Sequence, residues 1–168
     1  MRILPLSDIG KDAWARFVEN CDQCWLYHHP DFFDISDADS RSFAILDGES
    51  LIGGCVLFVN RSGLGRVLGY RYGGAGLAMA RGIDSSVYPL VKSYILKLAR
   101  ENDCHAIQMV LPLLAPANLS MSYLDTHLYK LAFGDSLRWG TLTSYSPSYS
   151  TVIELTRSND DIWRGFSE

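Results

Sequence analysis

The stretch Ser42-Phe-Ala-Ile-Leu-Asp47 is followed directly by Gly48-Glu49-Ser50 and then by Leu51-Ile-Gly-Gly-Cys-Val-Leu-Phe-Val-Asn60. Two apolar, partly β-branched runs joined by a short polar turn with a glycine are typical of an antiparallel hairpin. The second run is apolar at nearly every position, which favours a central strand covered by helices on both faces of its sheet. The adjacent Gly53 and Gly54 predict a bulge, or a close approach by another backbone or a ligand.

Helical patterns lie on both sides of this hairpin. In residues 11–21 the apolar Trp14, Phe17, Val18 and Cys21 recur at helical spacing, which predicts an amphipathic helix. Residues 84–101 carry a longer apolar stripe that includes Leu90, with Asp84 or Ser85 available to cap the start. A buried strand predicted over 104–111 would return to the same sheet by a right-handed crossover.

Weaker patterns complete the chain. Pro30 predicts a short helix that begins near residue 30 and leaves Tyr27, His28 and His29 on an extended, exposed segment. Strands are predicted over 1–6, 66–72, 140–146 and 150–155, and helices over 122–133 and from Ser158 onwards. Together these elements predict an α/β (α+β) fold in which a mixed, largely antiparallel sheet is flanked by helices.

Composition narrows the classes of function. Of the 168 residues, 48% are apolar and 20% are charged, as in a globular domain, and the formal net charge is −4. Lysine and arginine form no long basic run, so no DNA partner is expected. The sequence contains no apolar run of membrane-spanning length and no secretory signal at its start, so we expect a cytoplasmic protein without a transmembrane segment.

Four cysteines, at positions 21, 24, 55 and 104, are too few and too scattered for a disulfide framework. Cys21-Asp-Gln-Cys24 and the nearby His28-His29 have side chains that zinc prefers, but no second Cys/His pair follows at zinc-finger spacing. We therefore expect no metal, and interpret Cys21 and Cys24 as ordinary thiols at the end of a helix.

The segment Arg71-Tyr-Gly-Gly-Ala-Gly76 matches the Arg/Gln-x-x-Gly-x-Gly/Ala loop in which acyl-CoA N-acyltransferases hold pyrophosphate on backbone amides. The match names Arg71, Gly74 and Gly76 as candidate cofactor-binding residues. Residues 77–83 separate this segment from the predicted helix, so the alternative is a glycine-rich break that shapes a groove.

The order of these segments resembles the FemAB-like branch of the GNAT (acyl-CoA N-acyltransferase) superfamily. The resemblance rests on the helix with Trp14, on Trp25-Leu-Tyr-His-His-Pro-Asp-Phe, on the hairpin, on Tyr72-Gly-Gly, and on a closing segment that runs from Ser150 to Trp163. It implies a GNAT-like N-terminal subdomain over 1–155. Residues 156–168 would begin a linker helix that leads to a missing second subdomain.

The resemblance implies transfer of an acyl or aminoacyl group to an amine, as in the family members that modify the peptide stem of a cell-wall precursor in bacteria. This chain would contribute the acceptor groove, and the residues that match the family's groove-lining motifs are His28, His29, Tyr72, Gly73 and Gly74. No cofactor is firmly implied, no catalytic residue is assigned, and acyl-CoA or aminoacyl-tRNA would be the donor substrate. The acceptor would be a small molecule, a peptide or a glycan. Two alternatives stay open: a non-catalytic GNAT-like binding module, and a single-domain acetyl-CoA-dependent N-acetyltransferase.

Overall fold

The computed structural model describes residues 1–63, 65–71 and 76–109, with only the backbone at position 62. These residues form two sheets and the helices that cover them. In chain order the elements are β1 (Arg2–Pro5), α1 (Leu6–Ile9), α2 (Lys11–Asn20), a 3-10 helix (Leu26–His28), β2 (Phe43–Asp47), β3 (Ser50–Cys55), β4 (Phe58–Ser62), β5 (Gly65–Gly69), β6 (Leu77–Met79), α3 (Val87–Glu101) and β7 (Cys104–Gln108).

The predicted hairpin is confirmed as the centre of the first sheet. Strands β2 and β3 pair antiparallel and are joined through Gly48, whose φ of +57° suits a glycine in a tight turn. Strand β1 pairs with β2 and β6 pairs with β3, both antiparallel, which sets the order β1-β2-β3-β6. The predicted N-terminal edge strand is thereby confirmed as well.

The second sheet continues from the first because β3 leads almost directly into β4. Strand β4 pairs antiparallel with β5, and β5 pairs in parallel with β7, so the order is β4-β5-β7. Most strand pairs are thus antiparallel, as the sequence predicts. The parallel pair arises because α3 separates β5 and β7 along the chain.

Alternate residues of β2 face opposite sides, and both sides are covered. Phe43 and Ile45 pack in one apolar cluster with α3, through Val91 and Ile95. Their neighbours in β2 pack in a second cluster with Trp14 and Val18 of α2. The second apolar run behaves in the same way, since Cys55 and Leu57 lie in the first cluster and Val56 and Phe58 in the second, and it is covered on both faces as the sequence predicts.

Of the alternatives predicted for the glycine pair in β3, a close approach occurs at Gly54, and a bulge lies next to Gly53. The pairing of β2 with β3 shifts register between Ile45 and Leu46, which marks a bulge. A Cβ built on Gly54 would lie 2.7 Å from the Trp14 ring and 2.7 Å from the carbonyl oxygen of Phe43. The side chain of Trp14 and the backbone of β2 thus occupy the space that a Cβ would need.

Three local predictions are wrong. No helix begins near Pro30; residues 30 and 31 form a turn, and Tyr27 and His28 lie in a 3-10 helix instead of an extended segment. Helix α3 begins at Val87 because Ser86 and the preceding residues form turns, in one of which the Asp84 carboxylate accepts a hydrogen bond from the Ser86 N–H. Leu90, predicted for the apolar stripe of α3, is 43% exposed.

Several other predictions fall outside the described residues. These are the helix over 122–133, the strands over 140–146 and 150–155, the helix from Ser158, and the proposed boundary at 155/156. The return strand β7 is confirmed as an element, although it ends at Gln108 and most of it is only half-buried.

Candidate functional site

The two sheets separate after β5. Pairing between β5 and β7 extends to Gly69 opposite Gln108, and when the strand resumes as β6 it pairs with β3. Among residues 1–63, 65–71 and 76–109, β6 has a strand partner on one side only. The other edge of β6 therefore has no strand partner within that part of the chain, and an edge of this kind can pair with another chain or a ligand.

Backbone polar groups of β6 alternate between β3 and this open edge. The Ala80 N–H donates to the Ile52 carbonyl at 2.8 Å, and the Val56 N–H donates to the Gly76 carbonyl at 3.3 Å. In an antiparallel pair these contacts direct the N–H and C=O of the odd-numbered Leu77 and Met79 away from β3. The edge therefore presents backbone donors and acceptors at those two residues.

At Met79 the loop that follows α2 already covers this edge. The side-chain oxygen of Gln23 accepts the Met79 N–H at 2.8 Å, and the Cys21 thiol donates to the Met79 carbonyl at 3.4 Å. Leu77 directs its own N–H and C=O to the same edge, two residues away from these contacts at Met79.

His28 is a buried support for the end of the glycine-rich segment. Its Nδ1 accepts the Trp25 N–H at 3.2 Å, and its Nε2 lies 3.2 Å from the Gly76 carbonyl oxygen and 3.3 Å from the Gly76 nitrogen. With Nδ1 as an acceptor, the neutral ring carries its proton on Nε2, which then donates to the Gly76 carbonyl. The Trp14 indole donates to the His28 carbonyl at 2.7 Å. Burial lowers the pKa of His28 to about 4, because the charged imidazole would be removed from water.

The second histidine of the pair lies at the surface. His29 has the extended backbone expected for a residue before proline, with φ −69° and ψ 136°. Its Nδ1 is 3.4 Å from an Asp31 carboxylate oxygen and its Nε2 is 4.0 Å from Glu19. Of the two histidines, only His29 is placed where a soluble ligand could reach it, and a substrate contact by either residue stays a prediction.

Arg71 contacts two carboxylates at the start of the glycine-rich segment. Its guanidinium lies 2.5 Å from Asp37 and 3.1 Å from Asp39, and its Nε donates to the Asn60 side chain at 3.3 Å. The same group stacks over the Phe58 ring at 4.7 Å. A phosphate at Arg71 would have to compete with both carboxylates, so its cofactor role also stays a prediction. Tyr72, Gly73 and Gly74 lie outside the described residues.

A groove lies between the end of α2 and the strand end that follows β6. Its volume is about 360 Å³, and it is lined by Phe17, Asn20, Cys21, Asp22, Leu51, Ala80 and Arg81. An ion pair between Asp22 and Arg81 crosses it. The sequence does not single out Gln23 or Arg81, because the packing of α2 beside β6 brings both of them to this place. Cys21 was noted in the sequence, as part of the Cys21-Asp-Gln-Cys24 segment.

Comparisons with known proteins show similarity in structure alone. No protein-family model and no curated protein sequence matches the chain. A Thermus thermophilus protein called TTHA1254 matches with a TM-score of 0.55 at 12% identity, over 90% of this chain and 100% of its own. A probable acetyltransferase matches with a TM-score of 0.54 at 18% identity, over 90% of this chain and 100% of its own. A transcriptional regulator from Bacillus halodurans C-125 matches with a TM-score of 0.53 at 14% identity, over 90% of this chain and 99% of its own.

The likeness to these proteins is a likeness of fold. The chain has a GNAT-like fold, with a mixed and mostly antiparallel arrangement of strands between helix layers, and the predicted fold class is confirmed. No helix in the described part of the chain is both long and apolar enough to cross a bilayer.

Proposed function

We propose that the protein transfers an acyl group from a thioester or ester donor to an amine, and that the reaction takes place along the open edge of β6. The observation that carries this proposal is the backbone of Leu77, whose N–H is directed to an edge that β3 does not occupy. The GNAT-like fold supports the choice of reaction.

The chemistry requires a fixed hydrogen-bond donor more than a nucleophilic side chain. When a neutral amine attacks the donor carbonyl, negative charge develops on the carbonyl oxygen, and an N–H held in a strand stabilises that charge without reorganising. Positioning of the amine and donor beside each other supplies much of the remaining rate enhancement. A covalent acyl-enzyme intermediate is not needed.

The donor and acceptor follow from the same arrangement. The glycine-rich segment from Arg71 to Gly76 lies between β5 and β6, so a donor with phosphate groups, acyl-CoA or aminoacyl-tRNA, would place them there and its acyl end along β6. The groove beside α2 would take the acceptor, a small molecule, a peptide or a glycan. His29 lies in the segment between α2 and β2, and it is the candidate contact for the acceptor.

The FemAB-like resemblance refines the proposal. In that arrangement this chain is the N-terminal unit of a two-subdomain transferase, and a second GNAT-like subdomain completes the donor site. This chain covers 98–100% of the length of these neighbouring structures. That coverage equally fits a single domain that binds the donor without a second subdomain. Binding of acetyl-CoA to the isolated chain distinguishes the two forms.

The first prediction concerns Leu77→Pro, which removes the outward N–H and leaves the hydrogen bonds to β3 intact. Proline is tolerated on an edge strand when its N–H would have faced away from the sheet. We expect acetyl-CoA to raise the melting temperature of the wild-type protein, and the proline variant to lose that rise. Thermal unfolding monitored with and without the ligand measures both effects.

Leu77→Val is the matched control, because it also shortens this buried side chain but keeps the N–H. The control should fold with similar stability to the proline variant and retain the stabilisation by acetyl-CoA. If both variants respond like the wild type, the donor does not use this N–H. If even the wild-type chain shows no response at saturating ligand, the single-domain form of the proposal is wrong.

A non-catalytic binding module is the second candidate, and one observation favours it. In the described residues near the edge, both ring nitrogens of His28 are occupied by backbone groups and Arg71 is held by Asp37 and Asp39. A module of this kind would retain the groove without turnover. Release of free thiol from acetyl-CoA in the presence of amine acceptors separates the two candidates, since a module releases none.

A further inference from the structure

Cys21 and Cys24 are held at a separation suited to a disulfide. Cys21 caps the C-terminus of α2, and the Cys24 N–H donates to the Cys21 carbonyl at 3.0 Å, which closes a four-residue turn. The first and last Cα atoms of such a turn lie within about 7 Å of each other. Disulfides span Cα separations of about 4.4–6.8 Å, so the backbone needs little movement to accept one.

The two thiols are unequal in their surroundings. Both side chains are buried in the apolar cluster with Trp14, Cys21 at 8% and Cys24 at 4% exposure, and of the two it is Cys21 that contributes to the groove wall. A hydrogen bond from Cys24 stabilises the Cys21 thiolate and lowers its pKa to about 7. The same bond, together with burial, raises the pKa of Cys24. The sulfur that borders the groove is thus the one that ionises, and the sulfur behind it stays protonated.

We propose that Cys21 and Cys24 form a redox-active pair, in which Cys21 exchanges with a low-molecular-weight disulfide in the groove and Cys24 resolves the product into an intramolecular disulfide. This property goes beyond acyl transfer and does not depend on it. The co-reactant is a small disulfide of the glutathione type, which would present one of its sulfur atoms to Cys21 at the groove wall.

The exchange balances in two steps. The Cys21 thiolate attacks one sulfur of oxidised glutathione, a Cys21–glutathione bond forms, and glutathione thiolate leaves. Cys24 then loses its proton to solvent and attacks the Cys21 sulfur, so that the Cys21–Cys24 bond forms and a second glutathione leaves. Two protein thiols are oxidised and one glutathione disulfide is reduced to two thiols.

The pair is connected to the proposed site through Met79. In the reduced protein the Cys21 thiol donates to the Met79 carbonyl at 3.4 Å, beside the Gln23 contact to the Met79 N–H. A disulfide has no S–H, so oxidation removes this donor. Oxidation therefore weakens the cover over the open edge of β6.

The test is a redox titration of the native protein in glutathione buffers, read by mass spectrometry after acid quenching and trypsin cleavage. Peptide 17–41 contains both cysteines of the pair, while Cys55 and Cys104 fall in separate peptides. We expect peptide 17–41 to lose two hydrogen atoms on oxidation. Cys55, which is fully buried, and Cys104, whose thiol pKa is raised by burial, should stay reduced under the same conditions.

Two serine variants identify the roles of the two sulfurs. Cys24→Ser should accumulate the mixed disulfide of Cys21 with glutathione, because the resolving thiol is absent. Cys21→Ser should form no adduct at Cys24. Cys104→Ser is the matched control and should oxidise at the pair as the wild type does.

Alkylation of the native protein gives a second measurement. Cys104 is the more exposed thiol, but its pKa is raised by burial whereas that of Cys21 is lowered to about 7, so we expect Cys21 to react on the order of tenfold faster than Cys104 with iodoacetamide. The proposal is overturned if Cys21 reacts no faster than Cys104, if Cys24→Ser retains no adduct, or if the disulfide forms only in denaturant.

Discussion

At the scale of single residues, His28 shows how burial changes the role of a side chain that looks functional in sequence. A histidine next to a second histidine and a proline suggests a ligand contact. In the structure the imidazole is fully buried and connects the Trp25 N–H to the Gly76 carbonyl. Its neutral form is the one that fits, because Nδ1 must accept a hydrogen bond.

This burial predicts a pH dependence of stability. An unfolded histidine has a pKa of about 6.5, and burial lowers the pKa of His28 to about 4. Between these values the unfolded chain binds more protons, so the free energy of unfolding falls as the pH falls from 6.5 to 4. The loss attributable to His28 is about 3 kcal/mol, at about 1.4 kcal/mol per pKa unit. Urea unfolding at several pH values measures it.

His28→Gln should show a shallower dependence over this pH range, because glutamine does not titrate. The variant should also be less stable at neutral pH by about 1–3 kcal/mol, through imperfect hydrogen bonding of the buried backbone groups. His29→Gln is the matched control, because it makes the same substitution at the neighbouring histidine, whose side chain is partly exposed. Equal slopes in both variants would assign the pH dependence to other groups.

Gly54 is the second residue whose role follows from its immediate contacts. We expect Gly54→Ala to lower the free energy of unfolding by about 1–3 kcal/mol, because the Trp14 ring and the Phe43 carbonyl occupy the space that the added methyl needs. Gly63→Ala should change it by less than about 0.5 kcal/mol, since nothing lies within 4 Å of the Cβ position there. Chemical denaturation of both variants checks the difference, and equal effects would mean that Trp14 moves aside.

At the scale of elements, β6 is a short strand whose outer edge is covered from another part of the chain. Gln23 supplies a hydrogen-bond acceptor that a neighbouring strand would otherwise provide for Met79. Without it, the Met79 N–H has to find water at a partly enclosed edge. Such a replacement suits a site that must stay open to one side, because a side chain moves aside more easily than a strand.

Gln23→Ala should therefore cost about 1 kcal/mol of stability and speed amide hydrogen exchange at Met79 severalfold, with little change at Ala80, whose N–H donates to Ile52. Asn20→Ala is the matched control, because its amide donates to Arg16 within the same helix. Hydrogen exchange followed by NMR reports both sites. Unchanged protection at Met79 would show that Gln23 does not cover the edge in solution.

At the scale of the whole molecule, the described residues form two sheets covered by helices, and the split between the sheets places β6 and β7 in different ones. The split follows from the chain's path, because β5 takes β7 as a parallel partner while β6, the next strand along the chain, takes β3. Among the described residues this topology leaves the outer edge of β6 without a strand partner, and the proposed site lies along that edge.

Local patterns in the sequence were sufficient for the central hairpin, α2, α3 and the glycine bulge. In each of these elements the spacing of apolar residues, or the absence of a side chain, predicts one local structure. Packing against the rest of the chain favours the same structure. The same patterns were sufficient for the fold class, because two covered faces of one sheet require helices on both sides.

Tertiary structure alone decided the site. Strand β6 has three residues and follows a glycine-rich segment, so no local period indicates it, and only its pairing with Gly53, Gly54 and Cys55 makes it a strand. The burial of His28, the carboxylates around Arg71, and the contact of Cys21 with Met79 each join residues more than 30 positions apart. A sequence states what each residue can bond to, but the choice among partners is made by the energy of the whole packed chain.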